Sequence, residues 1–255
     1  MLQVASALKG CSLEVNDGTI GTVQDFLFDD TTWRVRWLVV DTGSWLPGRK
    51  VLIHPSAIQA SNLAEKTIRV DLSKAQVKAS PDILSDEPVS GQNEDDLYGY
   101  YGWDPRWDTG VVGGGGFRFS PVMRSGVGEA MLREPPAIKR ARDEADQHLR
   151  SIAAVTGYHV RATDGRIGHV ENFLLDEGDW GVRYLIIDTR NWWAGKEVLI
   201  SPYAITKIEW LQREILLDAA RDQVKSSPPW APFDNIDRSY EEQLHKHYGW
   251  PGYGW

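Results

Sequence analysis

"DGTIGTVQDFLFDDTTWRVRWLVVDT" fills residues 17–42, and "DGRIGHVENFLLDEGDWGVRYLIIDT" fills residues 164–189, 147 positions further on. The same offset holds outward from this stretch without a gap. Gly10 meets Gly157, Trp45 meets Trp192, "VLIHPSAI" (51–58) meets "VLISPYAI" (198–205), Pro81 meets Pro228, and "YGW" at 101–103 meets "YGW" at 248–250. An internal duplication is the economical explanation, and it organises everything else in the chain.

Each copy is written in short strands. Asp-Gly at 17–18 and 164–165 signals a tight hairpin, with Gly18 and Gly165 supplying the backbone freedom of the turn. Ile20 and Val23 are an odd number of residues apart, so a regular strand would turn them to opposite faces. A bulge at Gly21, repeated at Gly168 between Ile167 and Val170, brings both inward and helps a sheet curl toward closure. The next strand starts by alternating, then runs Trp37-Leu38-Val39-Val40, matched by Tyr184-Leu185-Ile186-Ile187, so both of its faces must be covered. A third strand stops at Pro55 or Pro202, and a last one follows at 67–72 or 214–218. The fold class is therefore all-β: two small antiparallel barrels of about five or six strands each. Helices are expected at the margins. One runs from Ala137 through Leu149 and Ile152 toward Gly157, and one follows a Ser239/Glu242 capping box. The domain boundaries are 1–103 for the first barrel with its aromatic extension, 104–136 for a Gly/Pro-rich flexible linker around "GVVGGGG", and 137–255 for the leading helix, second barrel and terminal helix.

These residues resemble the PRC-barrel family, the small barrel of the photosynthetic reaction-centre H subunit and of the C-terminal domain of a ribosome-maturation factor. The resemblance is carried by the two quoted stretches together with "KVLIHPSAI" and "EVLISPYAI", and covers about residues 5–81 and 152–228. It implies binding and assembly rather than catalysis. The membrane helix of the reaction-centre subunit and the partner domain of the ribosome factor have no counterpart in this chain.

Composition agrees with a binding role. The chain has 255 residues and a net charge of −8, and neither repeat is a basic patch, so direct nucleic-acid binding is not expected. Residues 82–103 hold six acids and no base. One cysteine, Cys11, and the lack of a leader or an 18-residue apolar run point to a cytoplasmic protein without a membrane span. That leaves room for peripheral association with a membrane complex and for homo-oligomers.

No CxxC, HExxH, GxSxG or P-loop pattern occurs, so no enzyme, catalytic residue, cofactor or metal is expected. Asp41 and Asp188 precede threonines at strand ends, where aspartate caps turns. His54, His159 and His169 align with Ser201, Ser12 and Thr22, so no repeated site uses them, and the histidines are expected on the solvated surface.

The expected inter-repeat interface consists of Phe26, Trp37, Phe173 and Tyr184, packing the barrels as an intramolecular pseudo-dimer. Trp45 and Trp192 stand in glycine-bearing loops, as lids or as partner contacts. Tyr101, Trp103, Tyr248 and Trp250 are partner contacts or covers, and their fixed offset favours covers. The expected function is a protein-binding scaffold whose partner is an unidentified protein. A ribosome or RNA-processing accessory factor and a small-ligand or metal sensor are the alternatives.

Overall fold

The computed structural model describes residues 1–81, 91–103, 148–190, 197–230 and 236–252, with backbone alone for 91–95. The expected linker and most of the expected helix from Ala137 lie outside these residues. The chain forms two compact units, Lys9–Arg150 and Met1–Leu8 with Ser151–Trp255. Strand β1 (Leu2–Val4) and helix α1 (Ala5–Leu8) therefore belong to the unit built from the second repeat.

The first unit contains β2 (Ser12–Val15), β3 (Gly18–Asp29), β4 (Arg34–Asp41), β5 (Lys50–Ile53), β6 (Ile58–Asn62) and β7 (Thr67–Val70). Helices α2 (Lys74–Ala79) and α3 (Gly91–Tyr101) follow, and β8 (Leu149–Ser151) joins its sheet. The second unit repeats the plan with α4 (Ile152–Val155), β9 (His159–Ala162), β10 (Gly165–Asp176), β11 (Val182–Asp188), β12 (Glu197–Ile200), β13 (Ile205–Glu209) and β14 (Glu214–Leu217). Helices α5 (Arg221–Lys225) and α6 (Arg238–Tyr248) end it. Both sheets have seven strands, ordered β5-β4-β3-β2-β7-β6 with β8 on β3, and β12-β11-β10-β9-β14-β13 with β1 on β10.

The long strand of each repeat changes partner midway. β9 pairs with Gly165–His169 and β11 with His169–Leu175, which leaves the outer edge of the far half of β10 open for β1, in register Leu2↔Asp176 and Val4↔Leu174. β3 takes β8 by the same logic. Each sheet is thus completed by a strand that lies in sequence just before the other repeat. This overrides the helix expected through Leu149: an open strand edge binds residues 149–151 as strand, and Ile152–Val155 turns helical.

The bulges form at the expected places. Between Leu13 and Glu14 the register skips Ile20, and between Arg161 and Val160 it skips Ile167, so Ile20, Val23, Ile167 and Val170 are all buried. A Cβ on Gly21 would lie 2.0 Å from the Asp41 carbonyl oxygen, and one on Gly168 would lie 1.9 Å from that of Asp188. No side chain fits where these strands cross so closely.

The hairpin turn sits one residue earlier than Asp-Gly suggests. Val15 pairs with Gly18 and Ala162 with Gly165, so the loops are Asn16-Asp17 and Thr163-Asp164. The aspartates face a different task. Asp17 Oδ1 accepts from the Lys74 backbone N–H at 2.7 Å, and Asp164 Oδ1 from that of Arg221 at 2.8 Å, tying the hairpin to the helix after the last strand. The terminal helix also starts earlier than its expected capping box: Asp237 caps α6 by accepting from the Tyr240 N–H at 2.8 Å.

Candidate functional site

The repeated features converge on the outer face of each sheet. In the first unit Trp37 is fully buried in a cluster with Leu52, Leu97, Tyr98 and Leu149, against which Tyr101 and Trp103 pack. In the second unit Tyr184 is fully buried with Leu174, Ile186, Leu199, Trp230 and Leu244, flanked by Leu2, Val4, Tyr248 and Trp250. The doubly apolar strands are therefore covered by helices α3 and α6 of their own units and by the added strands β8 and β1. Trp37 and Tyr184, expected at an inter-repeat interface, are each packed against the helix and the added strand of their own unit. Phe26 and Phe173 are fully buried as well, in register with Leu38 and Leu185, and belong to neither helix-covered cluster.

The YGW segments form the ends of these covers. Tyr101 stacks on Trp103 with ring centroids 4.1 Å apart, and Tyr248 on Trp250 at 4.0 Å. Trp103 also reaches Trp37 at 5.9 Å. Trp45 is half-buried in a loop closed by the Thr42 hydroxyl, whose one proton lies within reach of the carbonyls of Leu46 and Arg49, 2.6 and 2.7 Å away. Trp192 lies outside the described residues.

Beneath the covers the two units differ. In the first, His54 is fully buried, its ring 5.5 Å from Trp37 and 5.6 Å from Tyr98. Its Nδ1 accepts from the Ser56 backbone N–H at 3.2 Å, which puts the ring proton on Nε2. Burial, reinforced by the Arg36 guanidinium, pushes its pKa down to about 3. The second unit has Ser201 at the matching position and places its imidazole on the helix instead, as His245, where the first has Tyr98. His245 Nδ1 donates to the Pro251 carbonyl at 2.6 Å, and its Nε2 lies 2.8 Å from the Tyr184 hydroxyl, which is also 3.0 Å from Glu241 Oε1.

One hydroxyl proton cannot serve both acceptors. Either a neutral imidazole accepts from Tyr184 while a protonated Glu241 donates to the phenol oxygen, or an imidazolium donates to Tyr184 and the phenol donates to carboxylate. Burial raises the pKa of Glu241 and lowers that of His245, and both shifts favour the neutral arrangement. Beside it, Arg183 binds Asp176 Oδ2 through Nε at 3.0 Å. Burial alone would raise the pKa of Asp176, but the Gly178 N–H and Arg183 outweigh it and hold the carboxyl low.

His54 and His245 correct the expectation of solvated histidines, since each is needed to fill a sheet–helix gap. Asp41 and Asp188 cap turns as expected, Asp41 Oδ1 accepting from the Gly43 N–H and Asp188 Oδ1 from that of Arg190, both at 2.8 Å.

Two seven-stranded sheets of matching order, each closed over by its own aromatic-ended helix, define a tandem small-barrel protein. Its sequence matches the PRC-barrel domain at residues 5–77 and 149–224, more than half of the chain, and the chain belongs to that family. It is also similar to an uncharacterized protein of Deinococcus radiodurans, 32% identical over 82 residues, which is 32% of this chain and 29% of that relative. The match thus spans less than a third of either protein. Among the described residues no helix is long and apolar enough to cross a membrane.

Proposed function

We propose that this chain is a non-enzymatic assembly adaptor in which two PRC barrels act as recognition modules for a protein partner. The carrying observation is the family itself, matched in both repeats, because PRC-barrel domains point to interaction and assembly roles. The geometry supports the reading. The broad apolar faces are already covered, so recognition falls to the apolar side chains left outside.

Among the described residues the large ones are Met1, Tyr203, half exposed, and Leu211, 96% exposed on the β13–β14 turn, in the second unit, and Tyr100 on helix α3, 41% exposed, in the first. The first unit has Ser56 and Ala64 at the positions matching Tyr203 and Leu211. In its barrel loops, as distinct from the covering helix that carries Tyr100, the second unit is therefore the better-equipped contact surface, and Tyr203 and Leu211 are its anchors. Cys11 is buried and suits a reducing cytoplasm.

Affinity capture with the full chain tests this against a Tyr203→Ser/Leu211→Ala variant, which installs the first unit's residues. A partner retained by the natural chain and weakened at least tenfold in the variant supports the proposal. Equal retention by both would remove these anchors, and salt-sensitive retention of RNA in place of protein would overturn the reading.

A further inference from the structure

At one rim of the second sheet, side chains of metal-binding type meet across three neighbouring strands. His169 on β10 pairs in register with Asp188 on β11, which pairs with Glu197 on β12. Glu171 stands two residues along β10 from His169. Ligand atoms of His169, Glu171 and Asp188 all lie within 4.8 Å of one another. The His169 Nε2 is 3.6 Å from Glu171 Oε2 and 3.8 Å from Asp188 Oδ2.

Those separations are too long for hydrogen bonds and match another geometry. Donors about 2.0–2.2 Å from a tetrahedral zinc ion stand roughly 3.3–3.5 Å from each other, so small side-chain rotations would bring all three onto one ion. Asp188 supplies a firm base, being 4% exposed and anchored by the Arg190 backbone N–H through its other oxygen.

The first repeat is an internal control. The same rung there reads Thr22, Asp41 and Lys50, in the same register, with Gln24 in place of Glu171. Of the donor set only the aspartate is common to both, and Lys50 puts an ammonium where the second unit has a carboxylate. Three neutral or basic positions have thus become donors around one backbone geometry.

We infer that the second barrel, and not the first, carries a divalent-cation site of the zinc class, with His169, Glu171 and Asp188 as ligands and Glu197 beside them. Mixed imidazole and carboxylate donors suit Zn²⁺ or Co²⁺ better than Mg²⁺ or Ca²⁺, which favour all-oxygen shells. With three protein ligands the fourth position is open to water or to a partner's donor. Arg190 competes for the site: its Nε lies 2.8 Å from Asp188 Oδ2, and its side chain is 64% exposed and free to swing out when a cation takes that oxygen.

The test is calorimetric titration of the full chain with Zn²⁺, together with the visible absorption of Co²⁺. The expected result is one equivalent per chain with a tetrahedral Co²⁺ spectrum. Binding should weaken at least tenfold in His169→Ala and in Glu171→Gln, and tighten severalfold in Arg190→Gln, which no purely structural ion pair would produce. Thr22→His/Gln24→Glu/Lys50→Glu should add a second equivalent. The inference is overturned by the absence of binding below millimolar Zn²⁺, or by binding that persists unchanged in both His169→Ala and Glu171→Gln. Because these variants leave Tyr203 and Leu211 untouched, failure here is distinguishable from failure of the adaptor reading.

Discussion

Beneath α3 the first unit packs Trp37, His54 and Tyr98; beneath α6 the second packs Tyr184, Ser201 and His245. The backbone plan is shared, yet one interface is an aromatic cluster around a buried imidazole, and the other is a hydrogen-bonded relay ending on Glu241. An imidazole occupies both gaps but arrives from opposite sides, from the turn after β5 in one unit and from the helix in the other. The space between sheet and helix constrains volume and polarity more tightly than it constrains which element supplies them.

Changes shared by both units should have the largest effect. Gly21→Ala and Gly168→Ala place a methyl group on a backbone carbonyl and should each cost at least about 4 kcal/mol. Hydrogen exchange read strand by strand should show the affected unit opening while the other stays protected. Equal protection in both units would mean that the strands do not cross so closely.

The covers separate the units next. Trp37→Ala should cost about 3–5 kcal/mol as a large cavity, whereas Tyr184→Phe removes only an oxygen and should cost about 1–3 kcal/mol by stranding Glu241 and His245. If both changes prove equal in thermal unfolding, the contrast between apolar and polar covers fails.

Acid sharpens the comparison. The pKa of His54 is depressed on folding, so its contribution is intact above the unfolded value near 6.5 and is lost as pH falls from there toward about 3. The limiting slope is about 1.4 kcal/mol per pH unit for that one group. His245 is shifted in the same direction. His54→Gln should flatten the acid response of the first unit and leave that of the second, as followed by urea denaturation across pH 4–7.

The smallest effect is expected at the hairpin ties. Asp164→Ala should cost about 1 kcal/mol and Asp17→Ala less, because α2 keeps its Ser73–Gln76 capping box whereas the N-cap of α5, Ala220, offers no side-chain cap, a difference that thermal unfolding of the two variants checks.

How far the molecule could be read in advance depends on the range of the forces involved. The bulges at Gly21 and Gly168 were legible because strand alternation is local and an odd spacing of buried residues demands one. The aspartate caps at 41 and 188 were legible for the same reason. Which surface covers Trp37 and Tyr184 was not, because a strand apolar on both faces announces that it is covered without naming the cover. His169 breaks the repeat, so repetition alone does not mark it. In a duplicated chain, repetition marks what the barrel needs to fold, and departure from it marks what one copy can do alone.

The sequence by itself determined the duplication, the all-β class, the turns to within a residue and the curl of the long strands, since each rests on neighbours in the chain. Only the tertiary structure decided that β1 completes the second sheet and β8 the first, that each terminal helix shields its own barrel, and that His169, Glu171 and Asp188 meet. Those outcomes depend on which open edge or apolar face a distant segment reaches, and no local pattern of residues encodes that choice.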